Sequence, residues 1–376
     1  MGGVDAMSTL GCIIWVAGAI ACAIALYAIQ APLRRSYKPL RRLVVLLVKI
    51  LLAIACAFLS VALELFIAYR DPYLFGMAYV ALTSDVVADI LSWPCERVGS
   101  ARHKDLKRRV ITAAVTVAYL AYGTINMQVV TPHEIVFETD KVTREHTFVF
   151  LADLHVSRSQ SWGVTESTVA QIRDLKPDFV VLGGDITDEF TSEAEMRSTY
   201  GLLSTIACPV YFVYGNHDAQ PRGDWTGQQG YGRDELTDAI REGGLTVLED
   251  EWVDVGDNLV ILGREDAREP TRKPAGELAP RPAGAFVVCV DHTPYETEDI
   301  VATRADVQLS GHTHAGQLFP LQWIYNLLGY DAYGSYRHGA TRLFVSSGAA
   351  GWGFPFRSEE GCHFEVVTVR PAPSEG

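Results

Sequence analysis

The sequence predicts two unlike parts: an N-terminal all-α region of four transmembrane helices over residues 1–129, then an α/β domain over residues 130–376. Three observations carry this division. The apolar excess of the chain sits before Val130. After Thr147, short β-rich runs alternate with helical stretches, and a set of polar motifs closes several of the apolar runs.

Hydrophobic residues make up 48% of the chain and mean hydropathy is +0.11, too apolar for an ordinary acidic soluble domain. The excess forms four runs, over about residues 9–29, 43–68, 73–93 and 110–127. At 1.5 Å per residue each is about 27–39 Å long as a helix, against a hydrocarbon core of about 30 Å. The first run is read as a span rather than a cleaved signal, because Met1 to Leu10 carries only Asp5 and offers no basic leader. Asp85 and Asp89 make the third run the most polar. They are four apart on one helix face, with Lys49 at comparable depth in the second span, so a structural Lys49–Asp85 pair is expected, with a transport or lipid-headgroup role as the alternative.

Loop charge sets the expected orientation. Arg34, Arg35, Lys38, Arg41 and Arg42 separate the first two runs, and Arg97, Arg102, Lys104, Lys107, Arg108 and Arg109 separate the last two. The central Arg70-Asp71-Pro72 turn is nearly neutral. The positive-inside rule then puts both basic loops in the cytoplasm and the α/β domain outside it, a multi-pass protein of the cell membrane. Residues 1–129 hold 13 Lys and Arg against 7 Asp and Glu, leaving 19 basic and 38 acidic residues for the α/β domain. So acidic a domain excludes nucleic acid as its partner and argues against simple adsorption to anionic lipid. The seven cysteines fit neither a disulfide framework nor a zinc pattern, so buried free thiols are expected, with one bridge among Cys208, Cys289 and Cys362 as the alternative.

Within the α/β domain, Phe148 to Ala152, Asp178 to Leu182, Val210 to Tyr214 and Leu245 to Leu248 read as strands. Helices fall between them, over Thr165 to Leu175, Thr191 to Ile206 and Arg233 to Arg241, the first stopped by Lys176-Pro177 and the last by Gly243-Gly244. The second half is richer in strand: Trp252 to Val255, Leu259 to Leu262, Phe286 to Val290, Val307 to Leu309, Leu343 to Ser346 and His363 to Val369. Glu269 to Gly284, rich in Pro, Gly, Ala and charge, reads as an exposed loop. Two sheets face to face with helices outside accommodate both halves, with sites at the carboxyl ends of strands.

Five pieces fall at such ends: Asp153-Leu-His155, Gly183-Gly184-Asp185, Gly215-Asn216-His217-Asp218, His292 and Gly311-His312-Thr313-His314. Taken singly, Asp-X-His and Gly-Asp are ordinary turn and capping chemistry. Together they supply the imidazole, amide and carboxylate oxygens that two divalent cations need in order to clamp a displacement at phosphorus.

This ordered set resembles the calcineurin-like metallophosphoesterase superfamily. The stretch from Gly311 to Gln317, with Tyr336-Arg337-His338-Gly339 and Ser346-Ser347-Gly348, is similar to its membrane-associated bacterial YkuE-like branch. The resemblance covers residues from about 147 to 370 and implies a four-layer α/β/β/α sandwich. It also implies two divalent metal ions, with Mn, Zn and Fe all suited to the donor set. Asp153, His155 and His314 would hold the first metal, Asp185 would bridge, and Asn216, His292 and His312 would hold the second. Ala315 stands where the branch usually has Gly. Asp291 stands where it has a small or hydroxyl residue, adding a carboxylate near the metals.

The expected activity is hydrolysis of a phosphodiester or phosphomonoester by metal-activated hydroxide, with the bilayer as partner and a lipid or envelope component as a fitting substrate. His217 is placed to protonate the leaving oxygen, with Asp218 to orient its ring. Arg264 and Asp266, after a strand, are candidates to reach substrate, with a salt-bridged loop as the alternative, and Arg357 is a candidate anion contact. Trp352, Phe354 and Phe356 would dip into lipid, line a pocket or simply pack. Two rival readings remain: a pyrophosphatase for a lipid-linked diphosphate, and a membrane sensor or transporter subunit whose phosphoesterase-like domain only binds ligand.

Overall fold

The computed structural model describes residues 13, 15–29, 39–62, 73–92, 101–157, 159–218, 230–278, 284–294 and 297–373. Four helices come first: α1 (Trp15–Ile29), α2 (Pro39–Ala62), α3 (Tyr73–Ser92) and α4 (Ala101–Gln128). The last three are long and apolar enough to cross a membrane, whereas α1 is shorter than a crossing over its described length. The rest of the first expected span, Thr9 to Cys12 and Ile14, lies outside the described residues, as do Arg34, Arg35, Lys38, Arg97 and the Arg70-Asp71-Pro72 turn.

Deep in the bundle, Lys49 Nζ lies 2.6 Å from Asp85 and also pairs with Asp89, as the sequence predicts for the first of these. Arg108 of α4 was not anticipated. It pairs with Asp89 and lies 3.5 Å from Asp85, so two cations face two carboxylates and the buried group is neutral as a whole.

Beyond Gln128 the chain forms two six-stranded sheets. The first runs in the order β1 (Val130–Thr139), β12 (Cys362–Pro371), β2 (His146–Leu151), β3 (Phe179–Leu182), β4 (Val210–Phe212), β5 (Thr246–Val247), with only the β12–β2 pair antiparallel. The second has β10 (Gly334–His338), β11 (Thr341–Val345), β9 (Val307–Ser310), β8 (Phe286–Val290), β7 (Leu259–Gly263) and β6 (Glu251–Gly256), parallel in the middle and antiparallel at both edges. Side chains alternate between the faces of a strand, which explains how the layers assemble. Phe148 and Phe150 of β2 point into the core between the sheets with Val181, Ile261, Val288, Leu309 and Val367. Val149 and Leu151 point the other way, against α5 (Trp162–Leu175), α6 (Glu193–Leu203) and α7 (Arg233–Glu242).

Local chemistry sets the helix ends. Ser192 caps α6 in a reciprocal box with Glu195, and Lys176 ends α5 in a left-handed conformation before Pro177. The outer face of the second sheet has thinner cover: α8 (Thr297–Ala302) and the stretch after Arg264, where Ala275 and Leu278 are buried. Within the expected exposed loop from Glu269 to Gly284, most described residues are exposed, and Ala275 and Leu278 turn inward against this sheet; residues 279–283 lie outside the described residues. Among the described residues Cys22, Cys56, Cys208, Cys289 and Cys362 are free, as expected, but only Cys289 and Cys362 are buried.

The bundle and the α/β domain share an apolar seam. Phe354 and Phe356 stack on Trp15 of α1 and lie in one cluster with Ala57, Tyr79 and Leu120, joined by Leu318 and Leu321. Gly123 of α4 approaches Phe356 so closely that a Cβ there would lie 2.2 Å from its ring. Polar ties reinforce the seam: Asn126 donates to the Arg357 and Glu359 carbonyls at 3.3 and 3.2 Å, and Tyr79 Oη donates to the Phe319 carbonyl at 2.7 Å. Of the aromatic residues weighed for lipid or pocket, these two pack.

Candidate metal centre

Five strands deliver the motif residues to one rim. Asp153 follows β2, Asp185 follows β3, Asn216 and His217 follow β4, His292 follows β8, and His312 and His314 follow β9. Turning so many chains at one place strains the backbone. Asp153, His155, Asp185, His312, His314 and Ala315 all adopt positive φ, between 40° and 72°. Non-glycine residues there cost about 1–2 kcal/mol each, which a fold tolerates where geometry serves chemistry. Ala315, at φ 46°, occupies a conformation that glycine enters freely, which accounts for glycine as its usual counterpart. Close approach demands true glycine at Gly215 and Gly311, where a Cβ would lie 2.2 Å from Asp185 Oδ1 and 2.3 Å from Asp153 Oδ2.

The side chains converge as two groups. Donor atoms of Asp153, His155 and His314 lie within 4.8 Å of one another, and so do those of Asp185, His292 and His312. Asn216 Oδ1 joins the second group, 2.5 Å from His312 Nδ1. Asp185 lies between the two, its Oδ2 being 3.7 Å from His155 Nε2 and 2.9 Å from His292 Nε2. All seven residues are buried except His312, which is half-buried.

This arrangement fits cations better than a closed hydrogen-bond network. His155 Nε2 is buried without a hydrogen bond, and Asp185 Oδ2 and His292 Nε2, equally buried, meet only as an ion pair at 2.9 Å, a costly arrangement unless another partner fills the space they line. The outer edges of two imidazoles are held by the backbone. His292 Nδ1 donates to the Gly183 carbonyl at 2.8 Å and His314 Nδ1 to the Ala350 carbonyl at 3.1 Å, so each turns Nε2 toward the site.

Protonation follows the local charge. Burial pushes His312 down to about 3 and His314 well below its ordinary value, so both are neutral donors. Burial would also lower His292, but the adjoining Asp185 carboxylate, helped by Asp153, raises it to about 10.

The expected partner of His217 is not the one found. Asp218 accepts four backbone N–H groups, from Asp185 and Gly215 on Oδ2 at 2.7 and 2.8 Å and from Ile186 and Thr187 on Oδ1 at 2.9 and 3.0 Å. It therefore clamps the Asp185 loop instead of orienting the ring. Burial, followed by the Asp185 charge, pushes its carboxyl up to about 7, against the pull of those N–H donors. Glu189 takes the orienting place. Its Oε2 lies 2.8 Å from His217 Nδ1, and its Oε1 accepts Trp352 Nε1–H at 2.9 Å. Trp352 also packs its ring over His217, with centroids 5.4 Å apart.

Of the two readings of Arg264, the salt-bridged one fits: it is fully buried, 2.5 Å from Asp250 and 3.5 Å from Asp299, in an ion cluster. Two other expectations are corrected. Arg357 is equally buried and turns its terminal guanidinium nitrogens onto the carbonyls of His314, Ser347 and Ala350 at 2.7, 2.5 and 2.9 Å, which pins the His314 loop instead of facing an anion. Asp291 pairs with Arg272 at 2.5 Å, so its carboxylate is neutralised instead of adding free negative charge beside the metals.

Comparison with known proteins agrees with this geometry. Residues 146–316 match the model of the family described as calcineurin-like phosphoesterase. Those residues carry a calcineurin-like phosphoesterase domain.

A Helicobacter pylori protein named an uncharacterized metallophosphoesterase is 27% identical over 233 residues, 58% of either chain. Two vertebrate proteins, each named a transmembrane protein with metallophosphoesterase domain, are also similar. That of Danio rerio is 27% identical over 288 residues, 70% of this chain and 63% of the relative. That of Bos taurus is 25% identical over 372 residues, 85% of this chain and 80% of the relative, a match longer than the phosphoesterase domain alone. The chain thus spans under two thirds of the length of the Helicobacter pylori and Danio rerio relatives.

Proposed function

We propose that this protein is a membrane-anchored, binuclear-metal phosphoesterase whose catalytic domain lies outside the cytoplasm and hydrolyses a phosphodiester or phosphomonoester. The observation that carries the reading is the pair of buried His/Asp groups with Asp185 between them and inward-facing atoms that no hydrogen bond satisfies. In this reading Asp153, His155 and His314 hold one cation, Asn216, His292 and His312 the other, and Asp185 both. Such cations supply Lewis acidity toward phosphate oxygens and lower the pKa of bound water toward neutrality.

The remaining work falls to the chain. His217 sits beside Asn216 with Nδ1 held by Glu189, so Nε2 is the atom that would protonate the leaving oxygen. Trp352 fixes that pair from the other side and keeps water from the back of the ring. Asp218 and Arg357 hold the loops bearing Asp185 and His314, so the donors are set before substrate arrives.

The orientation rests on the basic loops and on the seam. The ends of α3 and α4 that touch the α/β domain are opposite the ends that carry Arg108 and its neighbours. The test is to purify the full chain in detergent, measure bound metal, and assay monoester, diester and lipid diphosphate substrates beside Asp185→Asn. Metal-dependent turnover lost in Asp185→Asn is expected. A metal-replete protein that turns over none of them refutes the reading in favour of a ligand-binding sensor.

A further inference from the structure

Between the metal-bearing loop and β10 lies a segment that the catalytic reading does not use. From Ala315 to Tyr330 the chain carries no Asp, Glu, Lys, Arg or His, although the domain around it is strongly acidic. It forms α9 (Leu321–Leu327) and exposes large apolar side chains: Phe319 at 45%, Trp323 at 66%, Leu327 at 86% and Leu328 at 63%. A soluble surface rarely groups such residues without something to cover them.

The buried side of the segment says what covers the other. Leu318 and Leu321 belong to the same apolar cluster as Trp15, Ala57, Tyr79 and Leu120 of the membrane helices, with Ile324 and Tyr325 packed against it. Tyr79 of α3 donates to the Phe319 carbonyl. The segment is therefore fixed at the domain-side ends of the spans, at the depth where the interfacial layer of their bilayer must lie. Trp and Tyr favour that layer, and a helix lying in it buries one face in protein or acyl chain and keeps no charge below the headgroups.

The segment also starts and ends at the metal site. It leaves directly after His314, and Thr313 Oγ1 donates to the Ala332 carbonyl at 2.6 Å where it returns. A membrane-seated segment hinged on the loop of His312 and His314 would hold that rim at headgroup level.

We propose that Phe319, Trp323, Leu327 and Leu328 sit in the interfacial layer of the bilayer and that the site takes the phosphoester headgroup of a membrane lipid. The second half rests on the phosphoesterase reading above. The reaction is hydrolysis: a water oxygen forms the new bond to phosphorus, the ester P–O bond breaks, and the leaving oxygen takes a proton.

The test uses the full chain in lipid nanodiscs. Tryptophan emission is read with and without brominated lipid for the wild type and Trp323→Phe, so that their difference reports Trp323. Hydrolysis of soluble bis(p-nitrophenyl) phosphate is then compared with that of phosphatidylglycerol, phosphatidic acid and a polyprenyl diphosphate in the discs, for the wild type and for Trp323→Glu/Leu327→Glu. The account expects Trp323 to be quenched by brominated lipid. It expects the double variant to lose at least tenfold in turnover of a lipid substrate and to stay within twofold on the soluble diester.

Unquenched Trp323, or equal lipid turnover by variant and wild type, overturns the bilayer seat. A dimer that the double variant makes monomeric names a second copy as the occupant and overturns it too. A wild type that cleaves the soluble diester and no lipid overturns the substrate class alone. A wild type that cleaves neither overturns the phosphoesterase reading, and the quenching still decides where α9 sits.

Discussion

Replacing Asp218 by Asn separates a structural clamp from a catalytic partner. The Asp218 carboxylate divides four backbone N–H groups between its two oxygens. An amide keeps one oxygen, so two of those donors would face an NH2 group and lose their acceptor. Hydrogen bonds to a charged acceptor are worth about 1.5–3 kcal/mol each, so the loss is about 3–6 kcal/mol. That is a large part of the roughly 5–15 kcal/mol that holds a domain together. At roughly 2–4 °C per kcal/mol for a domain of this size, Tm should fall by about 6–24 °C. The same change frees the main chain at Asp185, so bound metal should fall with it. The control is Glu189→Gln, which keeps an acceptor for Trp352 but removes the charge that holds His217. Its Tm should stay within about 3 °C while kcat drops about ten- to a hundredfold. Thermal melting, metal content after dialysis and kcat on one soluble diester read all of this. If Asp218→Asn melts like the wild type, keeps its metal and loses only kcat, the clamp is wrong and Asp218 acts on His217 after all.

Further outcomes follow from the same geometry. His217→Ala should lower kcat by about 10²–10⁴-fold with metal content unchanged, and loss of metal instead would make His217 a ligand or a scaffold. Metal affinity should rise with pH: His292, raised to about 10 by its carboxylate neighbours, carries a proton at neutrality that ligation must displace. Each unit of pH below that value should then weaken binding about tenfold, as calorimetry across pH would read, and a flat profile would show that no such proton is released. Lys49→Ala should destabilise the bundle by about 3–5 kcal/mol, because Asp85 and Asp89 lose a buried cation; normal expression and melting would show that Arg108 alone suffices.

The candidate metal-holding residues were legible because, His292 apart, their motifs close apolar runs with side chains that no turn requires. Spacing could name them, since the βαβ arrangement fixes which ends of the strands meet. Spacing could not name the residues that act through a neighbour. Glu189 lies four residues past Asp185, and its place beside His217 depends on how the loop after β3 folds. Asp218 looked like the orienting acid because it adjoins His217 in the chain, yet adjacent side chains in a tight turn diverge, and this one turned back onto the Asp185 loop. Arg264 and Arg357 stayed ambiguous for a related reason: an Arg near such a rim suits a substrate anion, a carboxylate or a carbonyl cluster equally, and only burial and partners distinguish them. β1 was missed because Pro132, His133 and Glu134 interrupt its alternation, and an edge strand that buries few side chains leaves little pattern. The seam was hidden too, since Phe354 and Phe356 show their role only against Trp15.

The central claim is that two cations held together do the chemistry. The direct measurement is a titration of metal into the chelated full chain, with turnover of a soluble phosphodiester followed at each step. The account predicts little turnover at the first equivalent and a rise that saturates at two per chain, with Asp185→Asn inactive throughout. Full turnover at one equivalent, or without metal, would contradict it.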